Sequence, residues 1–179
     1  MVAGKLDVRK AVANLPCEPE NLTEAEELLD DYDHQRVGSP PISRTVVHRL
    51  EYDEALRIVE QLRSQFSESA VFGVEKDKGL ASSLGAIMQT VGGEDVYPSL
   101  EEKAAHLLYF VIKDHPFTDG NKRIGSFLFL LFLKKNDLLD QKSFSNKALV
   151  ALALLTAASA PGQKELMIRL IVNLISEEG

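Results

Sequence analysis

Within nine residues the chain places His115, Asp119, Asn121, Lys122 and Arg123, inside the passage Asp114 to Ser126 (D-H-P-F-T-D-G-N-K-R-I-G-S). Gly120 and Asn121 are loop formers set where a helix begins, and a helix start offers unpaired backbone N–H groups at the positive end of its dipole. That is an anion site. Arg123, on the first turn, adds a forked cation suited to phosphate oxygens, and Asp119 adds a carboxylate of the kind that holds Mg²⁺ while the metal bridges phosphates. Together they point to a nucleotide polyphosphate. His115, at the loop entry, is the residue type that takes a proton from an attacking hydroxyl near neutral pH. The plain alternatives are a helix cap for Asp119 and a surface ion pair for Arg123.

The passage sits between two strongly apolar segments that must position it. The first starts at Ser99, with Glu102 three residues on as a capping box, and runs through Ala104, Ala105, Leu107, Leu108, Phe110, Val111 and Ile112. It is apolar nearly all round and is expected at the centre of the fold. The second begins near Gly120, carries Ile124, Phe127, Leu128, Leu130, Leu131 and Leu133, and ends at Lys134 and Lys135, charges suited to a helix C-terminus. This one too is expected to be buried. Upstream, Leu56, Val59, Leu62 and Phe66 recur at three to four residues, the stripe of a helix from about Asp53 to Ser67. Downstream, Ser145 caps a helix of Leu149, Leu152, Leu154 and Leu155, and Pro161 and Gly162 separate it from a last helix with Leu166, Met167, Leu170, Ile171 and Leu174. Gly79 to Pro98 mixes four glycines with no single period and reads as a loop or short hairpin. The fold class is mainly α, an orthogonal helical bundle around the two apolar helices.

Two parts are expected, an acidic N-terminal helix with its linker over residues 1–45 and a domain over 46–179. Eight acidic and no basic side chains lie between Glu18 and Asp33, where Thr23 and Glu26 form a second capping box, and Pro40 and Pro41 follow in an extended connector. The whole chain, 179 residues with 20 basic and 27 acidic side chains, carries a formal charge of −7, which argues against broad binding to nucleic acid or anionic membrane. The single cysteine, Cys17, can form no intramolecular disulfide, so a reducing cytoplasm is expected. Residues Met1 to Lys10 lack the apolar run of a secretory signal, and the longest apolar stretch, Phe127 to Leu133, is far short of the roughly 20 residues that cross a bilayer. His34, His48 and His106 read as structural hydrogen-bonding residues.

The central passage resembles the Fic/Doc (death-on-curing) family, whose signature H-x-F-x-[D/E]-G-N-x-R is met by His115, Phe117, Asp119, Gly120, Asn121 and Arg123. The resemblance implies a helical domain over about Val46 to Gly179 with the motif loop between two central helices and a short β-hairpin flap. It further implies that His115 deprotonates a hydroxyl of a target protein and that Phe117 anchors the loop in the core. Asp119 would position Mg²⁺, while Gly120, Asn121, Lys122 and Arg123 would hold the phosphates of ATP or another nucleoside triphosphate. By position, Gly79 to Val91 maps to the flap that registers the target segment by adding a strand to it.

Two departures bear on the reaction. Many members that transfer AMP have Gly after the Asn and a second Arg three residues past the first, where this chain has Lys122 and Ser126. A bulky cation replaces close backbone approach, and a phosphate clamp is lost. The N-K-R spelling resembles the Doc branch, in which ATP lies the other way round and the γ-phosphate goes to a Ser, Thr or Tyr hydroxyl of the target. Phosphoryl transfer is therefore the leading expectation, with adenylyl transfer (AMPylation) and a catalytically silent nucleotide- or protein-binding module as alternatives. No segment matches in full the inhibitory helix pattern [S/T]-x-x-x-E-[G/N] found in the family. Ser64 to Ser69 and Thr90 to Asp95 come nearest, so restraint by a separate antitoxin-like protein, as in a toxin–antitoxin pair, is expected.

Overall fold

The computed structural model describes residues 27–38, 48–66, 69–138 and 145–176. The Thr23–Glu26 capping box, Cys17 and the Pro40–Pro41 connector lie outside them. The chain divides into two units, residues 1–37 and 38–179. In the first, residues 27–33 are helical, with Leu29 exposed and Arg36 paired to Asp30.

The second unit carries helices α1 (Tyr52–Phe66), α2 (Gly79–Ile87), α3 (Leu100–Lys113), α4 (Asn121–Lys135), α5 (Asn146–Ala158) and α6 (Lys164–Ile175), with a short 3-10 turn, Pro161–Gln163, before α6. A hairpin of β1 (Thr90–Val91) and β2 (Glu94–Asp95) follows α2, pairing antiparallel with Thr90 opposite Asp95 and Val91 opposite Glu94. Gly92 and Gly93 both take positive φ in its two-residue turn, the conformation that matches strand twist. The fold is mainly helical with one small hairpin, as expected.

Helix α3 is the hub. It packs on α4 most extensively and also on α2, α5 and α6, and Ala104, Ala105, Leu107, Leu108 and Val111 have no exposed surface. Its start is the capping box read from sequence: Glu102 N donates to Ser99 Oγ (3.0 Å) and Ser99 N donates to Glu102 Oε2 (3.3 Å). Gly125 lets α4 approach closely, since a Cβ there would lie 3.2 Å from Ile112 and 3.3 Å from Val111. Helix α4 is less buried than its apolar run suggested. Ile124, Leu128, Phe129, Phe132 and Leu133 enter the core, but Phe127 is 44% exposed. Its C-terminal end is tied to α1 by Lys135 Nζ donating to Glu54 Oε2, and Ser145 caps α5 by accepting from Ala148 N.

The stretch expected to be a flap differs most. Residues 79–87 are helix, with Leu80, Ser83, Leu84 and Ile87 buried at helical spacing, and the hairpin is confined to Thr90–Asp95. Lys78 at the N-cap is left-handed and makes no side-chain cap. The carboxylate of Glu75 serves instead, accepting from Leu80 N (2.9 Å) and from the Tyr52 hydroxyl (2.5 Å), which joins the starts of α1 and α2. That hydrogen bond, with burial and the carboxylate charge, raises the pKa of Tyr52.

Candidate active site

The loop from Asp114 to Gly120 joins the C-terminus of α3 to the N-terminus of α4 and is held from two sides. On one side it pairs with the connector between α1 and α2. Gly73 N donates to Asp119 O (3.1 Å), Thr118 N to Val74 O (2.8 Å) and Lys76 N to Pro116 O (2.8 Å). These bonds make two isolated bridges, Phe72 with Asp119 and Glu75 with Phe117. Phe117 therefore turns its own N–H and C=O the other way, where the Asn121 side chain meets both: Phe117 N donates to Asn121 Oδ1 (2.9 Å) and Asn121 Nδ2 donates to Phe117 O (2.8 Å). Its ring is fully buried, the position expected of a loop anchor.

Gly120 occupies a place no other residue fits well. Its φ is 88°, and a Cβ would lie 2.6 Å from Phe72 Cδ2. The same Phe72 ring lies 5.3 Å from the Arg123 guanidinium, within cation–π range. Phe72 thus sets both the loop's exit and the height of the first turn of α4. Its role carried no signal in the sequence, because it lies 43 residues before His115 and meets the loop only through the fold.

The loop and the first turn of α4 enclose a concavity of about 430 Å³ lined by His115, Thr118, Asp119, Gly120, Asn121, Lys122 and Arg123. Every expected site residue except the anchor Phe117 lines it, and Thr118 joins them. Two placements refine the expectation. The Asn121 amide is engaged by Phe117, so the residue offers an anion its backbone N–H rather than its side chain. Asp119 Oδ1 accepts from Gly120 N (2.7 Å), which ties the carboxylate to the start of α4. His115 is exposed at the rim with φ 50°, a left-handed conformation uncommon for a residue bearing a Cβ. Behind it, Asp114 lies against Phe110 and Pro116 in a smaller cleft of about 250 Å³ that also includes Ser82 and Ser83 of α2. Partial burial raises the pKa of Asp114, opposed by the charges of Lys164 and His115.

The donor set decides what the concavity can hold. Two cations, the first-turn N–H groups of α4 and a backbone kept close by Gly120 suit a chain of phosphates. Among the described residues no group of three His, Cys, Asp or Glu side chains gathers. The single carboxylate of Asp119 fits an Mg²⁺ that arrives with phosphates and keeps its waters, and does not fit a standing metal centre. Of the segments nearest the inhibitory pattern, Thr90–Asp95 forms the exposed hairpin, not a helix, and residues 67 and 68 of the other lie outside the described residues.

Residues 49–133 match the family model described as Fic/DOC family. "Toxin Doc" of Mycolicibacterium smegmatis is 46% identical over 59 residues, 31% of this chain and 45% of that protein, so the match spans under half of the relative's length. No solved structure gives a significant match. Among the described residues no helix is long and apolar enough to cross a membrane.

Proposed function

The chain belongs to the Fic/DOC family through residues 49–133, and on that premise we propose that it transfers a phosphoryl group from a nucleoside triphosphate, ATP in the first instance, to a Ser, Thr or Tyr hydroxyl of a target protein. The observation that supports this reading is the convergence of His115, Asp119, Lys122 and Arg123 on one concavity at the N-terminus of α4. His115 accepts the hydroxyl proton as the target oxygen attacks phosphorus. The first-turn N–H groups, Lys122 and Arg123 hold the phosphates in line and stabilise the charge that builds on them. Asp119 holds Mg²⁺, which when bound neutralises charge on the phosphate oxygens.

Lys122 favours phosphoryl over adenylyl transfer. It lines the concavity where a glycine would let the backbone approach a phosphate, and Ser126 supplies no second clamp. The protein named "Toxin Doc" supports a further part of the proposal, that a separate antitoxin-like protein restrains the activity. The test is parallel incubation of the chain and its His115→Ala variant with a bacterial lysate, Mg²⁺ and ATP labelled on the α- or the γ-phosphate. Label from γ alone, lost in His115→Ala, is the expected result. Label from α would replace the reading with adenylyl transfer, and label retained in His115→Ala would overturn the assignment of the base.

A further inference from the structure

The cleft of about 250 Å³ behind His115, between α2 and the C-terminal end of α3, has a one-sided chemistry. Three polar side chains line it, those of Ser82, Ser83 and Asp114. Ser82 Oγ donates its hydrogen to Lys78 O (3.2 Å) and the buried Ser83 Oγ donates to Gly79 O (3.0 Å), so each hydroxyl has only lone pairs left. The ionised Asp114 carboxylate is an acceptor alone, and among the described residues it makes no hydrogen bond or ion pair. The main chain adds no donor. Pro116 has no N–H, Gly79 N donates to Lys76 O, Ser82 N to Lys78 O and Asp114 N to Phe110 O, and the N–H groups of Ser83, Ala86 and Phe110 belong to the hydrogen bonds of α2 and α3. The remaining walls, the Phe110 ring, Ala86 and Pro116, are apolar. Gly79 closes one end, since a Cβ there would lie 2.8 Å from Pro116 Cβ and hold α2 off the loop.

A pocket that accepts and does not donate selects a guest that donates and does not accept, and among side chains only those of Lys, Arg and Trp are donors alone. The Asp114 charge decides for the two cations, and the apolar walls suit their aliphatic stems. The cleft is smaller than the roughly 300 to 1,000 Å³ of small-molecule sites, so a single side chain is the guest its size fits. Lys164 attracts Asp114, but its Nζ lies 4.9 Å from the Phe110 ring centroid and 5.9 Å from that of Tyr109 and forms no ion pair with the carboxylate. The chain's own cation therefore leaves the acceptors open. Resting on the function proposed above, we propose that this cleft is a specificity pocket for a Lys or Arg side chain of the target protein, held by Asp114 with the lone pairs of Ser82 and Ser83. Asp114 and Pro116 flank His115 in the chain, and Asp114 and His115 are both exposed, so the pocket opens beside the base. In an extended target segment, at about 3.3 Å per residue, the bound cation then lies within roughly three residues of the hydroxyl that reacts.

The pocket is tested apart from transfer by following the backbone amide NMR signals of the full chain as butylguanidinium, a mimic of the Arg side chain, is added. Butylurea, of the same shape and without charge, is the control. Saturable shifts at Ser82, Ser83, Ala86 and Asp114 are expected with butylguanidinium, with affinity about tenfold weaker in Asp114→Asn, the range of a lost hydrogen bond to a charged group. Butylurea should give none. Equal binding of the two probes, equal binding by the parent and Asp114→Asn, or no saturable shift at all overturns the pocket. Its part in choosing targets is read by locating the γ-labelled residues in the lysate proteins, which are expected to have Lys or Arg close by in sequence. On a peptide copied from such a site, Asp114→Asn should raise KM about tenfold while its affinity for ATP stays that of the parent. Labelled sites without a basic neighbour, or an unchanged KM, overturn the specificity role and leave the transfer reaction standing. Absence of any His115-dependent label overturns the proposed function, and the probe titration still decides whether the cleft binds a cation.

Discussion

Replacing Asn121 with alanine separates a residue that builds the site from one that merely touches its ligand. The Asn121 amide accepts from Phe117 N at 2.9 Å and donates to Phe117 O at 2.8 Å. The neighbouring backbone bonds of the loop run from Thr118 N and to Pro116 O, so they cannot take over the Phe117 groups. Two neutral hydrogen bonds are worth about 1 kcal/mol each, and a backbone donor or acceptor left unpaired costs about 1 to 3 kcal/mol where water cannot reach it. The loop is only part-buried, so water recovers some of that cost. A loss of about 2 to 3 kcal/mol is expected, a fall in the melting temperature of roughly 5 to 10 °C for a chain of this size. Urea unfolding followed by circular dichroism gives the free energy, and ATP titration on the same samples gives the binding loss. If Asn121 acted only as a phosphate ligand through its side chain, affinity would fall with stability unchanged. Unfolding within about 0.5 kcal/mol of the parent would refute the reasoning.

Two further outcomes follow from buried polar groups outside the site. Lys103 has no exposed surface, and its Nζ reaches Ile87 O at 3.1 Å and Asp95 Oδ2 at 3.0 Å, while the Asp95 side chain is 43% exposed. Asp95→Ala strands a buried cation and should cost about 1 to 3 kcal/mol, whereas Lys103→Met removes the charge itself and should cost about 1 kcal/mol or less; the reverse order in denaturant unfolding would refute the pairing as the cause. His106 is buried, stacks on Tyr97 with ring centroids 3.7 Å apart, and has its pKa lowered by burial with help from the Lys164 charge, against the pull of its hydrogen bond to Glu102 O. The folded chain takes up this proton at lower pH than the unfolded one, so the stability present above about pH 6.5 is lost as pH falls toward the folded value. His106→Phe should flatten that acid limb, and an unchanged slope would show that other groups cause it.

The caps at Ser99 and Ser145, the hub position of α3 and the meeting of His115 with the first turn of α4 could all be read from short-range pattern, because each is set by residues within a few positions of one another. Helix α2 was hidden by its glycines. Its stripe of Leu80, Ser83, Leu84 and Ile87 is helical, but Gly79 and Gly85 lower the intrinsic propensity, and the cap comes from Glu75 and not from the residue at the boundary. The exposure of Phe127 was illegible for the opposite reason: an unbroken apolar run has no polar stripe to say which side faces out. The pairing of Phe72–Lys76 with the motif loop is made by backbone atoms, which leave no trace in side-chain type. Phe72 itself, set beneath Gly120 and Arg123, was out of reach of any local rule.

That backbone pairing has a consequence for how the sequence can drift while the site stays. The loop is registered by main-chain groups of residues 73, 74 and 76, and a main-chain hydrogen bond is indifferent to nearly every side chain attached to it. Val74 and Lys76 are exposed, so these two positions can change widely, proline excepted, and still hold His115 and Asp119 where they are. Two chains built this way could share the site's geometry while positions 74 and 76 had no residue in common.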